Sequence, residues 1–424
     1  MLGQHHRGLI LAGGHHLDAE AARHAEVLSA WRRRSVEEQW LALSGDDPAF
    51  TPSIEPARGR VRLGLFCPCL GLGGAESWQL ALIRAIDPEA AAWQGAVVTE
   101  GRQWVAPAML GPLSSRMPVG FGLRAARTLA EASDVIISWS VLDYDAVFRK
   151  LDRPPRVALV CHFPGELPWT SAAEQLLSRV DRLVAVSELA VDSIPVSLRK
   201  QAKVIWNAVD GPRLRQTREA EATRSEWGVP PGAKVAGYLG RLSPEKDPDA
   251  MLRLAQGLPD DWYVVVVGDG RERQAMAEKV DRLGLRRVRL IRGTAEVGDA
   301  LAAFDALVVP SRYESFGLTM AEGFWTGVPV VATRSGLAKV VPGLVREIGF
   351  VSSGSDLAGA IMLDHQSDIQ RRLDRVARAR AFARDRLDLA RFGSQWTELV
   401  LDLAGKDPSL PRKEESCRPT IRVA

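Results

Sequence analysis

Residues 308–333 read VVPSRYESFGLTMAEGFWTGVPVVAT, and this stretch decides the fold class. An apolar run stops at Pro310, a polar loop reaches Gly317, a helical segment carries Glu322, and a second apolar run, Val328–Ala332, starts after Gly327. Strands this short and this continuously apolar are the kind buried on both faces of a parallel sheet. The same beat recurs through most of the chain. Further apolar runs stand at Val61–Phe66, Ala96–Val98, Val135–Trp139, Val157–Cys161, Leu183–Val186 and Val204–Trp206. After Asn207 come Val235–Leu239, Trp262–Val267, Val288–Ile291 and Ala306–Val309. Helical patterns such as Glu76–Ile86 and Leu123–Glu131 lie between them. Strands alternating with helices predict parallel sheets with right-handed crossovers.

Eleven such runs are too many for one comfortable sheet, so two doubly wound α/β domains are expected, 60–207 and 208–385, joined near 207–233. The flanks differ from this core. Residues 1–59 hold five of the seven histidines and read as a partly helical or flexible extension. The segment Ile369–Arg391 carries eight arginines and reads as one helix with a solvated face, peripheral contact with anionic lipid head groups being its alternative. A C-terminal helix over 386–404 is expected to pack back toward the first domain, and 405–424 reads as a disordered tail.

Composition narrows the function classes. The chain has 424 residues, 46% hydrophobic and 25% charged, with a net charge of +3. So even a balance lacks the dense basic face of a nucleic-acid binder. No apolar run approaches the ~20 residues of a spanning helix, and the N-terminus lacks a secretory pattern. Cys67, Cys69, Cys161 and Cys417 show no zinc-like spacing and read as reduced thiols, which predicts a cytoplasmic protein. The adjacent pairs His5-His6 and His15-His16 lack a spaced carboxylate partner and read as non-ligating. Asp143/Asp145 and Asp247/Asp249 read as helix-start acids rather than a metal site, and His365 as a surface residue in a polar loop.

Ligands of open parallel sheets bind beyond the carboxyl ends of the strands. At those ends stand Gly71–Glu76, His162, Gly240-Arg241 with Lys246, Gly268-Asp269-Gly270, and Ser311–Gly317 opening the helix of Glu322. Arg241 and Lys246 suit a diphosphate, Gly73 and Gly74 allow backbone N–H groups close to an anion, and Glu322 can accept both hydroxyls of a ribose. Glu314 and His162 remain for a polyhydroxylated group. Together they describe a nucleotide diphosphate carrying a sugar. Neither glycine cluster is a dinucleotide fingerprint, since Glu76 and Arg273 occupy the third glycine position.

The chain resembles the retaining glycosyltransferases of family 4, which have the GT-B fold: two Rossmann-like domains facing across a cleft. The likeness runs over most of 60–365 and is strongest in GYLGRLSPEKDPDAML (237–252), VVVVGDG (264–270) and the opening stretch, whose Glu314 and Glu322 form the family's Glu-x7-Glu pattern. GLGGAES (71–77), DRLVAVSELA (181–190) and VIWNAVD (204–210) follow in the family's order. The resemblance implies an acceptor-side first domain and a donor-binding second domain. It implies that Arg241, Lys246, Gly268, Gly293 and Glu322 bind the donor, with the amides of Phe316, Gly317 and Leu318. Gly73 and Gly74 would close over the phosphates, while His162 and Glu314 would meet the sugar. The expected activity is transfer of a hexose-type sugar to a glycan or lipid-linked acceptor, with retention and without a metal or other cofactor. A nucleotide-sugar epimerase and a non-catalytic partner subunit are the rival readings. Gly323-Phe324-Trp325 and Lys339 depart from the family pattern, which usually has small residues after the second glutamate and an acid near the second position.

Overall fold

The computed structural model describes residues 49–53, 59–71, 73–101, 105, 107–139, 144–149, 151–162, 179–192, 194–341, 343–344, 347 and 356–405. Most of the extension, the C-terminal tail, the histidine pairs, Asp143 and Cys417 lie outside them. The described residues form two compact units.

The first unit holds a seven-stranded sheet in the order β3-β2-β1-β4-β5-β6-β7. Its strands are β1 (Val61–Cys67), β2 (Ala91–Val98), β3 (Val119–Phe121), β4 (Val135–Ser138), β5 (Arg156–Cys161), β6 (Arg182–Ala185) and β7 (Ala202–Val204). Every pairing is parallel. Central strands β1 and β4 are buried almost throughout, as their apolar sequences require. One face is packed by Leu123, Ala126 and Leu129 of the helix Gly122–Glu131 against Phe66, Val97 and Ile136.

Two features of this unit were not read from the sequence. β3 is an edge strand of three residues, Val119-Gly120-Phe121, whose central glycine breaks the apolar run. Phe50, from the segment read as extension, packs over the sheet edge, and Ser53 N donates to Gln94 O at 2.7 Å. A Cβ on Gly120 would sit 2.5 Å from the Phe50 ring, so this close seat requires the glycine.

The second unit holds the five-stranded parallel sheet β10-β9-β8-β11-β12: β8 (Lys234–Leu239), β9 (Trp262–Val267), β10 (Val288–Ile291), β11 (Ala306–Val309) and β12 (Val330–Ala332). Trp262, Val264 and Val266 of β9 pack with Met251 and Leu254 of the helix Asp249–Gly257 and Ile361 of the helix Leu357–Gln366. His365 lies in that last helix, not in a loop. Its ring meets Trp262 edge-on at 5.4 Å and its Nδ1 is 3.0 Å from Arg372, which corrects the surface reading.

The arginine-rich segment is two helices rather than one. Ile369–Arg386 ends as Leu387 N donates to Ala383 O at 2.9 Å. Asp388 then caps Leu389–Leu403, accepting from the N–H groups of Ala390 and Arg391 at 2.7 and 2.9 Å. From Phe392 onward that second helix belongs to the first unit. Gly393 packs against Ala85 O, Thr397 accepts from Asp87 N at 3.1 Å, and Asp402 pairs with Arg182 at 2.8 Å.

Candidate functional site

The residues singled out from the sequence divide between the units: Gly73, Gly74 and His162 in the first, and the remainder in the second.

In the second unit the loops after β8, β9 and β10 are stitched together by backbone hydrogen bonds. Gly240 N donates to Val267 O at 3.1 Å, Gly268 N to Ile291 O at 3.0 Å, and Leu242 N to Asp269 O at 2.8 Å. A Cβ on Gly268 would lie 1.9 Å from Gly240 O, so the approach of these two loops requires glycine there. Gly293 N donates to Asp269 Oδ2 at 2.8 Å, tying the loop after β10 to the same place.

Lys246 ends the short 3₁₀ turn Pro244–Lys246, whose next residue, Asp247, is left-handed at φ 46°. That turn is fastened to the loop after β11, since Arg312 N donates to Glu245 O at 2.9 Å. Asp247 pairs with Arg253 at 3.1 Å and Arg312 at 3.3 Å, and Asp249 pairs with Lys279. Asp249 stands in the first turn of the helix Asp249–Gly257, as its reading as a helix-start acid requires, but no side chain caps that helix and both acids are held in these ion pairs instead.

The result is a tight charge cluster. Lys246 Nζ lies 2.7 Å from both Glu314 oxygens, and Ser311 Oγ donates to Glu314 Oε1 at 2.8 Å. Glu314 is held from behind as well: Gly336 N donates to its carbonyl at 3.2 Å, and Leu337 N to Phe316 O at 2.8 Å. Arg241 is exposed at the end of β8, and its carbonyl accepts from the buried Tyr238 hydroxyl at 2.6 Å. Burial pushes that hydroxyl well above its ordinary pKa; Glu314 and Glu245 push the same way and Arg241 opposes them. The guanidinium of Arg241 is thus electrostatically part of the cluster.

Gly317, at φ +89°, turns the chain into the helix Leu318–Thr326 without a side chain to cap it. The first-turn amides of that helix have no intrahelical acceptor and form a natural anion seat. Glu322 lies one turn in, 7% exposed, and its Oε1 accepts from Arg213 Nη2. Burial raises the Glu322 pKa, Arg213 pulls it down, and Asp210 raises it again. The structure therefore brings Lys246 to Glu314 and Glu322 to Arg213, so each acid of the Glu-x7-Glu pattern already carries a cation. Arg213 escaped the sequence reading; an arginine in a Gly-Pro-Arg turn between domains has no periodic signature.

In the first unit Gly73 precedes the helix Gly74–Ala85, and Glu76 folds back so that Gly71 N donates to its Oε1 at 3.2 Å. His162 follows β5 and sits edge-on between Trp78, at 4.7 Å, and Trp139, at 5.6 Å. Burial among these rings lowers its pKa to about 3, so the imidazole is neutral near pH 7. Trp78 in turn meets Trp396 at 5.7 Å. The sequence showed the histidine but not its aromatic box, whose members come from three distant elements.

Residues 219–347 match the family model of group 1 glycosyl transferases, so the second unit carries the sequence pattern of that family. The lipopolysaccharide core biosynthesis mannosyltransferase LpsB of Rhizobium meliloti is 29% identical over 45% of this chain and 56% of its own. The 2-deoxystreptamine N-acetyl-D-glucosaminyltransferase of Streptomyces fradiae is 26% identical over 78% of this chain and 76% of its own. The chain spans about half the length of the first curated relatives it matches, LpsB among them. Anabaena HepE, solved with UDP and glucose, superposes with a TM-score of 0.67 at 21% identity, covering 80% of this chain and 99% of that one. With its two parallel sheets and interleaved helices, the chain has the two-domain α/β GT-B fold.

Proposed function

We propose that this chain is a retaining glycosyltransferase that moves a hexose-type sugar from a nucleotide-diphosphate sugar to a glycan or lipid-linked acceptor. The observation that carries this reading is the Lys246–Glu314 pair set at the carboxyl end of a parallel sheet, beside the uncapped helix that holds Glu322. Group 1 glycosyl transferases share the sequence pattern of that unit, and the named relatives are transferases of sugars.

In this reading the donor diphosphate lies on Arg241, Lys246 and the first-turn amides, with Gly268 and Gly293 giving its nucleotide close backbone approach. Glu322 takes the ribose. Glu314, with the amides of Phe316, Gly317 and Leu318, takes the sugar. As the anomeric C–O bond breaks, its electron pair moves onto the diphosphate, and the two cations offset that charge. The acceptor oxygen forms the new bond to the anomeric carbon and passes its proton to the departing diphosphate oxygen. In the first unit Gly73 and Gly74 leave backbone N–H groups open to an anion, and His162, being neutral, is suited to orienting a hydroxyl rather than storing a proton. Such a site does its work with fixed cations, and transfer is expected to survive chelation by EDTA.

Contact with membrane is proposed for the second unit. Among the described residues, three of the five exposed large hydrophobic side chains, Leu363, Ile369 and Leu373, fall within one short stretch. They stand beside exposed Arg371, Arg378 and Arg380, a mixture suited to an anionic bilayer surface. No helix among the described residues is long and apolar enough to cross a membrane.

The test is release of nucleotide from UDP-, GDP- and ADP-sugars by the full chain, with and without glycan acceptors. Acceptor-dependent release and a product of unchanged anomeric configuration are expected. Interconversion of donor sugars without acceptor would make the chain an epimerase, and binding without turnover a non-catalytic subunit.

A further inference from the structure

We infer that Arg213 is a positioning residue of the nucleoside subsite, holding one oxygen of Glu322 so that the other is presented to the ribose, and that Trp325 is the platform that puts Arg213 there. The inference rests on the reading above that Glu322 receives the ribose.

Arg213 belongs to the 3₁₀ turn Gly211–Leu214, which leaves the segment joining the domains. Its backbone N–H donates to Asp210 O at 3.0 Å, and Val209 N just before it donates to Leu387 O at 2.8 Å. The turn is seated on a ring: a Cβ on Gly211 would lie 2.7 Å from the Trp325 indole. Only glycine lets the chain come so close. The Arg384 guanidinium lies over that indole, 4.9 Å from its centre. Trp325 is one of the residues that departs from the small side chains expected after Glu322. It fills the space beneath the turn, and the turn points Arg213 at the carboxylate one helical turn earlier.

The pair itself is sheltered: the Glu322 side chain is 10% exposed and that of Arg213 27%. Arg213 Nη2 donates to Oε1. Thr326 Oγ1 donates to the Glu322 carbonyl at 2.9 Å and leaves the carboxylate to Arg213. The charged groups facing that carboxylate are Arg213 and Asp210. This matters because an ionised carboxylate is a pure acceptor, able to take two hydroxyl donors, whereas its protonated form is itself a donor at one oxygen. Burial and the neighbouring Asp210 both favour protonation, and Arg213 is the group opposing them. Arg213 therefore opposes the protonation that burial favours, with the Glu322 pKa still above its ordinary value, as well as fixing the orientation of the carboxylate.

Titration of UDP, GDP and ADP, and of the 2′-deoxy form of whichever binds, into the full chain tests this. In the unsubstituted protein, affinity should be level between pH 6 and 8, and the ribose form should bind about tenfold or more tightly than the deoxy form. Arg213→Ala should weaken ribose-form binding by about tenfold, erase most of that discrimination, and add a further fall in affinity as pH drops from 8 to 6. Arg213→Lys should recover part of the loss. Trp325→Leu keeps both charges and should shift affinity the same way with smaller amplitude, which covers the case of an unfolded alanine variant. Unchanged or tighter binding by Arg213→Ala, or a loss without new pH dependence, overturns the inference. Unchanged binding by Glu322→Gln would instead overturn the ribose reading beneath it.

Discussion

Replacing Lys246 by alanine is the sharpest probe of the charge cluster. The ammonium lies 2.7 Å from both oxygens of Glu314, and the two side chains are 25% and 10% exposed. Removing it leaves a sheltered carboxylate with Ser311 as its hydroxyl donor. Two costs follow, and they appear in different assays. Unfolding stability falls by the penalty of an uncompensated charge, about 3 kcal/mol for a fully buried pair and less here, where a quarter of the lysine meets water. Transfer falls because the diphosphate loses a charged hydrogen bond, about 1.5–3 kcal/mol, or roughly ten- to a hundredfold in kcat/KM. Lys246→Ala and Lys246→Arg should be measured by urea unfolding and by donor turnover in parallel. Glu314→Gln separates the two effects: with Lys246→Ala it removes both charges, so stability should recover while turnover stays low. Turnover of Lys246→Ala within twofold of the parent, in folded protein, would refute the assignment of the diphosphate to this cation.

Three further outcomes follow from the geometry. The His162 pKa lies near 3 in the folded chain and near 6.5 when exposed, so between those values the unfolded chain binds a proton the native chain does not. Stability should fall on acidification from about pH 6.5 toward 3, by less in His162→Phe than in the parent, as followed by thermal melts across that window. Trp396→Ala removes a fully buried ring that packs on Trp78 and should cost about 3–5 kcal/mol in urea titration, although the substitution lies in the last helix. Gly268→Ala, meeting Gly240 O at 1.9 Å, should lower both the melting temperature and nucleotide affinity, whereas Gly284→Ala, with open space around it, should leave nucleotide affinity unchanged in the same titrations.

What the sequence could show depended on whether a residue's role is set by its neighbours in the chain. Strands β8, β9 and β11 are apolar runs closed by a turn, and burial on both faces forces that pattern, so they were visible. Lys246 and Glu314 could be singled out because each stands in the loop that follows a strand, and the carboxyl-end rule needs nothing more. β3 was invisible because its three residues, Val119-Gly120-Phe121, are broken by a glycine and form no continuous apolar run. The break at Leu387-Asp388 was read at both 386 and 391, because Ala, Arg and Leu on both sides favour helix, while the stop is a cap and a change of packing partner.

Arg213 and Trp325 show the same limit at the site. Neither can be assigned from its own surroundings: Gly-Pro-Arg is an ordinary turn, and a tryptophan after Glu322 looks like a misplaced core residue. They acquire meaning as a pair, since the ring needs a glycine above it and the turn over that glycine aims the arginine. The apparent departure from the family pattern and the unforeseen cation are thus one feature. A bulky residue at 325 and an arginine at 213 should therefore stand or fall together. The double variant Trp325→Leu/Arg213→Ala should weaken nucleotide binding no more than Arg213→Ala does, because once the guanidinium is gone its platform has nothing left to aim. Losses that multiply in the double variant would show that Trp325 acts on the site by a route of its own.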